Sequence, residues 1–386
     1  MSTKKLLKES LLSVYINENI NEVDWDEKFS DTKASCVTPD ALAKEMNDEI
    51  SRLDVASKNR EKRGTKAPIY TRGNIEKSMG NDGTIDMEKF KALITTPPKT
   101  IFDQNPKMEK TDKGKSQLTV NTGLPAIVGV IYDENKKEFY KINTCPGAGA
   151  CQLVCYARKG FYGMNDGKSL KLIQRLNLLM NNPEEYYHMI MDELEPTAVK
   201  LKRQGRRAME NIQLVIRWND AGDFFSDTYY KIAQRVTADL IGDGYNVKSY
   251  AYTKQGKYMD LATSDFIMNF SRGAKPSEME KVDIENVKQS VIVPKELFKD
   301  IFQRDRAHYA KDETTGLPKF VEGGYNELKN RLAKEYNIPT KNLLYLNELP
   351  PQEGDKLQFN AIVLPTGDGD ISAQREDVKI TFLLFH

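Results

Sequence analysis

With 386 residues, 39% of them apolar, the chain has room for one large domain plus extensions, and no apolar run approaches the about 20 residues needed to cross a bilayer. Lys+Arg of 57 against Asp+Glu of 56 leaves a net charge of +1, which argues against a global electrostatic pull toward nucleic acid or a membrane surface. Three histidines, His188, His308 and His386, are too few for a multi-histidine metal centre.

The opening run MSTKKLLKESLLSVYINENINEV is charged and amphipathic, with neither an apolar signal core nor a small-residue cleavage site. The thiols are therefore expected to stay reduced, in a cytoplasm. Polar, lysine-rich helices are predicted near Lys4 to Ile16 and over Pro39 to Arg63, the second entered through Thr38 as N-cap and Pro39 in the first turn. Lys58, Arg60, Lys62, Arg63 and Lys66 make a basic stretch at its end. Gly64 to Lys115, with Pro97, Pro98, Pro106 and KMEKTDKGK, reads as loop. Residues 1–115 are thus read as a mostly helical extension and 116–386 as an α/β unit.

From Leu118 the pattern becomes strands around the turn Asp133 to Lys136, running directly into TCPGAGACQLVCYA. Three of the four cysteines, Cys145, Cys151 and Cys155, fall within eleven residues here; Cys36 lies far upstream. In a reduced compartment a cysteine cluster on a Pro- and Gly-rich loop binds metal or does redox work more often than it packs as three small apolar groups. Three thiolates leave one coordination position open for chemistry, whereas a structural zinc would need a fourth ligand from elsewhere.

Helices follow over Lys168 to Met180 and Glu184 to about Lys202, then strand Ile212 to Trp218, helix Asp227 to Leu240, strand Asn246 to Tyr252 and a short helix Lys257 to Leu261. Strand Asp265 to Phe270, helix Pro276 to Val282, strand Val287 to Val293 and helix Pro294 to Phe302 continue the alternation; Leu343 to Leu346 and Phe359 to Pro365 offer further strands. Strict alternation predicts a parallel sheet with crossovers, as a partial or full TIM-like barrel, in which four of these strands are neighbours and the cysteine loop follows the first.

Function in such a sheet gathers where strands end. Those ends carry Asp220, Gly222 and Asp223 after one strand, Lys254 after the next, and Ser271 and Arg272 after the third. Each has a plain alternative as helix cap or surface ion pair. A second basic stretch, Lys200, Lys202, Arg203, Arg206 and Arg207, reads as a solvated helix face or, with residues 58–66, as a contact for nucleic acid.

The arrangement resembles the radical S-adenosylmethionine superfamily. That resemblance implies Cys145, Cys151 and Cys155 as ligands of a 4Fe-4S cluster, with the aromatic Tyr156 beside it. Gly222 and Asp223 would stand for a Gly-Gly-Glu motif that accepts the amino group of S-adenosylmethionine, and Ser271 and Arg272 for the fourth-strand contacts. Asp220, Asp223 and Lys254 would line the catalytic site, with an electron donor as partner. The cysteine spacing is C-x5-C-x3-C and not the superfamily's C-x3-C-x2-C, and Asp replaces Glu. A second set of motifs resembles the bacteriophage gene product 88-like family: NPKMEK at Asn105 to Lys110, Leu124-Pro125-Ala126, CPGA-x-x-C-x-x-x-CYA from Cys145, GDFF from Gly222, YTK from Tyr252, and the closing GDGDISAQREDVKITFLLFH. It implies a phage protein working in the host cytoplasm. Two other expectations stand beside the enzyme: a zinc or structural-cluster protein binding nucleic acid, and an assembly component using its N-terminal arm.

Overall fold

The computed structural model describes residues 32–58, 71–103, 108, 109, 112, 116–158, 165–305, 308–310, 318–345, 348, 349, 359–364 and 370–384. The helix expected near residues 4–16 and nearly all of the basic stretch at 58–66 lie outside them.

Strand β1 (Ala34–Val37) leads into helix α1 (Pro39–Lys58), whose Ala41 N–H reaches Thr38 Oγ1 at 3.3 Å, the cap read from the sequence. Two helices, α2 (Arg72–Lys77) and α3 (Met87–Thr95), occupy what reads as loop. The second has a sound local cause: Asp86 caps it by accepting from Glu88 N and Lys89 N, and Phe90 and Ile94, four residues apart, are both buried. Strands β2 (Gln117–Asn121), β3 (Val128–Asp133) and β4 (Glu138–Asn143) follow. β3 and β4 form an antiparallel hairpin to which β1 adds, as a small sheet ordered β1-β4-β3. Asp133 builds the turn, accepting from Asn135 N and Lys136 N. Leu42, Met46, Ile75, Phe90, Ile94, Val130, Phe139 and Ile173 share one core, so the helices before residue 100 pack on this hairpin.

Helix α4 (Cys151–Val154) is one turn long; α5 (Asp166–Asn181) and α6 (Pro183–Ala208) meet at Asn182, and α7 (Asp227–Gly242) follows β5 (Gln213–Trp218). Then come β6 (Val247–Thr253), β7 (Phe266–Ser271), helix α8 (Pro276–Met279), β8 (Gln289–Ile292), the two-residue β9 (Arg304–Asp305) and β10 (His308–Tyr309), and α9 (Gly324–Tyr336). The strands β11 (Leu343–Tyr345), β12 (Phe359–Leu364) and β13 (Val378–Leu383) finish the chain. Eight strands make one sheet, ordered β2-β5-β6-β7-β8-β13-β12-β11, with every pairing parallel. The expected run of four parallel neighbours is therefore present in β5 to β8, in register through pairs such as Leu214↔Val247 and Ser249↔Phe266.

Three expectations need correction. The sheet is open: β2 and β11 are its two edges, with no pairing between them among the described residues, so it does not close as a barrel. Its order also reverses after β8, because β13 pairs directly with β8 and pushes β12 and β11 outward. Second, the cysteine loop does not follow the first parallel strand; it follows β4 of the small antiparallel sheet. Third, Pro294 to Phe302 is not a helix but a single tight turn at Lys295–Leu297, since Phe302 leaves to bridge Phe320.

A parallel sheet has to be covered on both faces. Helices α6 and α7 cover one, burying Leu214, Ile216, Trp218, Met268 and Phe270 against an aromatic layer in which Tyr230 stacks on Tyr258 at 4.4 Å. The other face, carrying Val215, Tyr250 and Ile267, is covered by a short turn at Ile371–Gln374 through Ala373. Lys288 fastens that segment by donating to the carbonyls of Ser372, Arg375 and Val378 at 2.7–2.9 Å.

Candidate metal and cofactor site

The cysteine loop is laid across the ends of β6 and β7. Ala148 bridges Ala274, Gly149 N and Cys151 N both donate to Gly273 O, and Lys275 N donates to Gly147 O. Lys275 Nζ holds Pro146 O at 2.8 Å. The glycines are required by this contact: a Cβ on Gly147 would stand 2.3 Å from Lys254 O, and one on Gly149 2.6 Å from Ala274 O. At the loop's other end Asn143 Oδ1 accepts from Cys145 N at 3.0 Å, and Ile127 N donates to Cys145 Sγ at 3.3 Å. Ile127 holds φ at +70°, a left-handed conformation that a β-branched residue rarely accepts.

All three cysteines line one cavity of about 110 Å³, at the carboxyl ends of the strands. Its floor comes from Arg217 of β5, Tyr252 of β6 with Lys254 just past its end, Ser271 of β7, and Ser290 and Ile292 of β8. Asp220, Ala221 and Gly222 form one wall, with Ala126 and Ile127 beside Cys145. Gly222 has φ of +80°, and its neighbour Ala221 accepts Leu124 N at 2.9 Å, which zips the Leu124-Pro125-Ala126 element to the loop after β5. Asn219 is a second left-handed residue on the wall, at φ of +57°. It is buried, it accepts the Tyr229 hydroxyl at 2.9 Å, and its Nδ2 has no hydrogen-bond partner among the described residues. A buried donor left open beside a cavity is a feature a ligand would satisfy.

Of the residues picked out from the sequence, Cys145, Cys151, Cys155, Asp220, Gly222, Lys254 and Ser271 all line the cavity. Asp223 does not; it is fully buried behind it, accepting from Phe224 N, Thr253 Oγ1 and Lys254 N at 2.8–2.9 Å. Arg272 also turns elsewhere, to Gln289 Oε1 at 2.5 Å and over the Tyr336 ring. Tyr156 opens the turn directly after Cys155. Cys36 is exposed on β1, outside the cavity. Sequence reading missed Arg217, and placed Asn219 at the strand end without giving it a role. The signal for Arg217 was present: an arginine inside the apolar run QLVIRW has to be paired. Its guanidinium meets Asp370 at 2.9 Å, and that carboxylate also takes the hydroxyls of Tyr250 and Tyr252.

Electrostatically the cavity is organised by Lys254. Burial works against its charge, yet Asp223 and the sulfurs of Cys151, Cys145 and Cys155 together raise its pKa. The ammonium makes no hydrogen bond or ion pair among the described residues. Burial pushes the Cys145 thiol up to about 12 and raises Cys151, with Lys254 opposing both shifts. Behind the wall, Asn121 Nδ2 donates to Asp220 Oδ2 at 2.6 Å and Lys168 Nζ bridges Asp220 and Asp103. Burial would raise the Asp103 carboxyl, but Arg175, Lys171 and Lys168 hold it far below the usual carboxylate range.

The chain is thus an α/β protein whose main sheet is open and all-parallel, with three thiols and a lysine around one strand-end cavity. A family model described as gene product 88 matches residues 99–333, and the chain belongs to that family. No curated protein and no solved structure matches it. Among the described residues no group of three or more His, Cys, Asp and Glu is drawn together around a single ion, and no helix is long and apolar enough to cross a membrane.

Proposed function

We propose that the protein carries an iron–sulfur cluster on Cys145, Cys151 and Cys155 and is a radical S-adenosylmethionine-type enzyme acting in a phage-infected host. The observation that carries this reading is convergence: the CPGA-x-x-C-x-x-x-CYA loop, Ala126 of the Leu124-Pro125-Ala126 element, Gly222 and Lys254 of the YTK motif all border one cavity. Three thiols there, with Cys36 elsewhere, leave the open position that the chemistry needs. Main-chain N–H groups point at the sulfur of Cys145 and support that of Cys151, as they do around cluster sulfurs.

When bound, such a cluster with S-adenosylmethionine supplies one-electron reductive cleavage of a sulfonium. The chain's own residues would do the rest. Lys254 offsets the negative charge of the thiolates; Asp220 offers a carboxylate to an ammonium; Arg217 and Lys254 offer cations to a carboxylate. Asp223, with its oxygens already used, positions Lys254. An electron donor is required as partner.

Anaerobic purification should give a brown protein with absorbance near about 400 nm and stoichiometric iron and sulfide. Cys145→Ser, Cys151→Ser and Cys155→Ser should each lose it while Cys36→Ser keeps it. A colourless protein with one zinc would replace this reading by a structural-metal one. A full cluster with no calorimetric S-adenosylmethionine binding would keep the cluster and remove the enzyme class.

A further inference from the structure

We infer that the far rim of the sheet, at the end opposite the thiols, is a binding groove for the phosphate backbone of a single-stranded nucleic acid. A second cavity, of about 750 Å³, opens there between the last turns of α6 and the starts of β5 and β6. Lys202, Arg206, Met209, Tyr245 and Asn246 are among its lining residues.

On α6, at about 100° per residue, Lys202, Arg206, Arg203, Arg207 and Lys200 follow one another around a single side of the helix. The buried positions Ala198, Leu201 and Gly205 occupy the opposite side. Five cations therefore share one face, four of them exposed, and none is in an ion pair among the described residues. Lys202 Nζ lies over the Tyr245 ring at 5.0 Å, on the floor of the groove. Among the described residues one carboxylate lines it, Glu210, and that one accepts Ser116 Oγ at 2.8 Å.

Two cations in the last turn would suffice to complement the helix dipole. Five on one side of the helix, of which Lys202 and Arg206 line the cavity and the other three flank it, exceed that need, in a chain whose net charge is only +1. The helix then ends on Met209, left-handed at φ of +55° and 94% exposed, so an apolar side chain stands in water at the groove mouth. Cations along a groove with an apolar contact at its edge match a strand that offers phosphates and base faces together. A stiff duplex would touch only the outer arginines, and an anionic membrane would need an exposed apolar face, whereas the apolar face of this helix is buried against the sheet. The groove is remote from the thiols, so this inference stands whatever metal they hold.

The test is fluorescence anisotropy of the full-length protein with a labelled oligothymidylate at low salt. Binding should weaken by roughly ten- to a hundredfold between about 50 and 200 mM salt, as for three to five neutralised phosphates. The exposed triple variant Arg203→Gln, Arg206→Gln, Arg207→Gln should lose at least about tenfold in affinity while staying folded by circular dichroism, and Met209→Ser should lose less. Equal binding by the triple variant, no binding by the unmodified protein at low salt, or tighter charge-dependent binding to duplex or to phosphatidylserine vesicles would each overturn it.

Discussion

Asp223 Oδ2 accepts the main-chain N–H of Lys254 at 2.9 Å, so the carboxylate after β5 fixes the root of the lysine that faces the thiols. Its other oxygen takes Thr253 Oγ1 and Phe224 N, both at 2.8 Å. Asparagine keeps the shape but turns an amide N–H toward one of these donors. Asp223→Asn should lower the unfolding free energy by about 1–3 kcal/mol, the cost of leaving a buried donor unmet. Urea denaturation measures it, and an unmoved midpoint would show that the carboxylate ties nothing together.

Lys254 stabilises the thiolate forms of Cys145 and Cys151. Because the thiolate is the reactive species, Lys254→Met should slow alkylation of the half-buried Cys151 by iodoacetamide several-fold near neutral pH and displace its pH profile upward. Lys254→Arg should restore most of the rate. A merely structural role for the lysine would leave the profile where it was.

The Cys145 thiol is pushed up to about 12 by burial, from an ordinary 9.0. Between those values the unfolded chain gives up a proton that the folded chain keeps. Stability is therefore whole below about pH 9 and falls as pH rises through the window, by up to about 1.4 kcal/mol per unit. Subtracting a Cys145→Ala series at matched pH isolates the effect; parallel curves would refute it. Metal loading must displace the same protons, so affinity for ferrous iron should rise with pH.

Asp370 neutralises Arg217 beneath the cavity and anchors the turn that covers the sheet's second face. Asp370→Ala leaves a buried guanidinium without its carboxylate and should cost about 3–5 kcal/mol. Limited proteolysis should then cut within residues 370–377, which the unmodified protein protects. Equal protection in both proteins would count against the anchor.

The four parallel strands from Gln213 to Ile292 were legible because each is a short apolar run separated by a capped helix or turn. The order of the sheet beyond β8 was not, since nothing in a run such as VKITFL says which edge it joins. The β3–β4 hairpin was recognisable as strands, but its apolar faces suit either sheet, and its place outside the parallel one is settled by contacts with α1, α3 and α5. Helix α3 was masked by Gly80, Gly83, Pro97 and Pro98 on its flanks, although Phe90 and Ile94 keep helical spacing. Within the site, the chemistry was readable in residue type and the facing was not. Asp220 and Asp223 stand three apart, and the positive φ of Gly222 between them helps decide which one meets the cavity.

Strand β13, residues 378–383, lies between β8 and β12 although it comes after both in sequence. A nascent chain leaving the ribosome therefore carries β8 with one side unpaired until those residues emerge. Such an edge is an open template for strand addition by neighbouring chains, which is the route to aggregation. Productive folding of the whole sheet is accordingly a late event in synthesis, and a truncation ahead of residue 378 would leave that template standing.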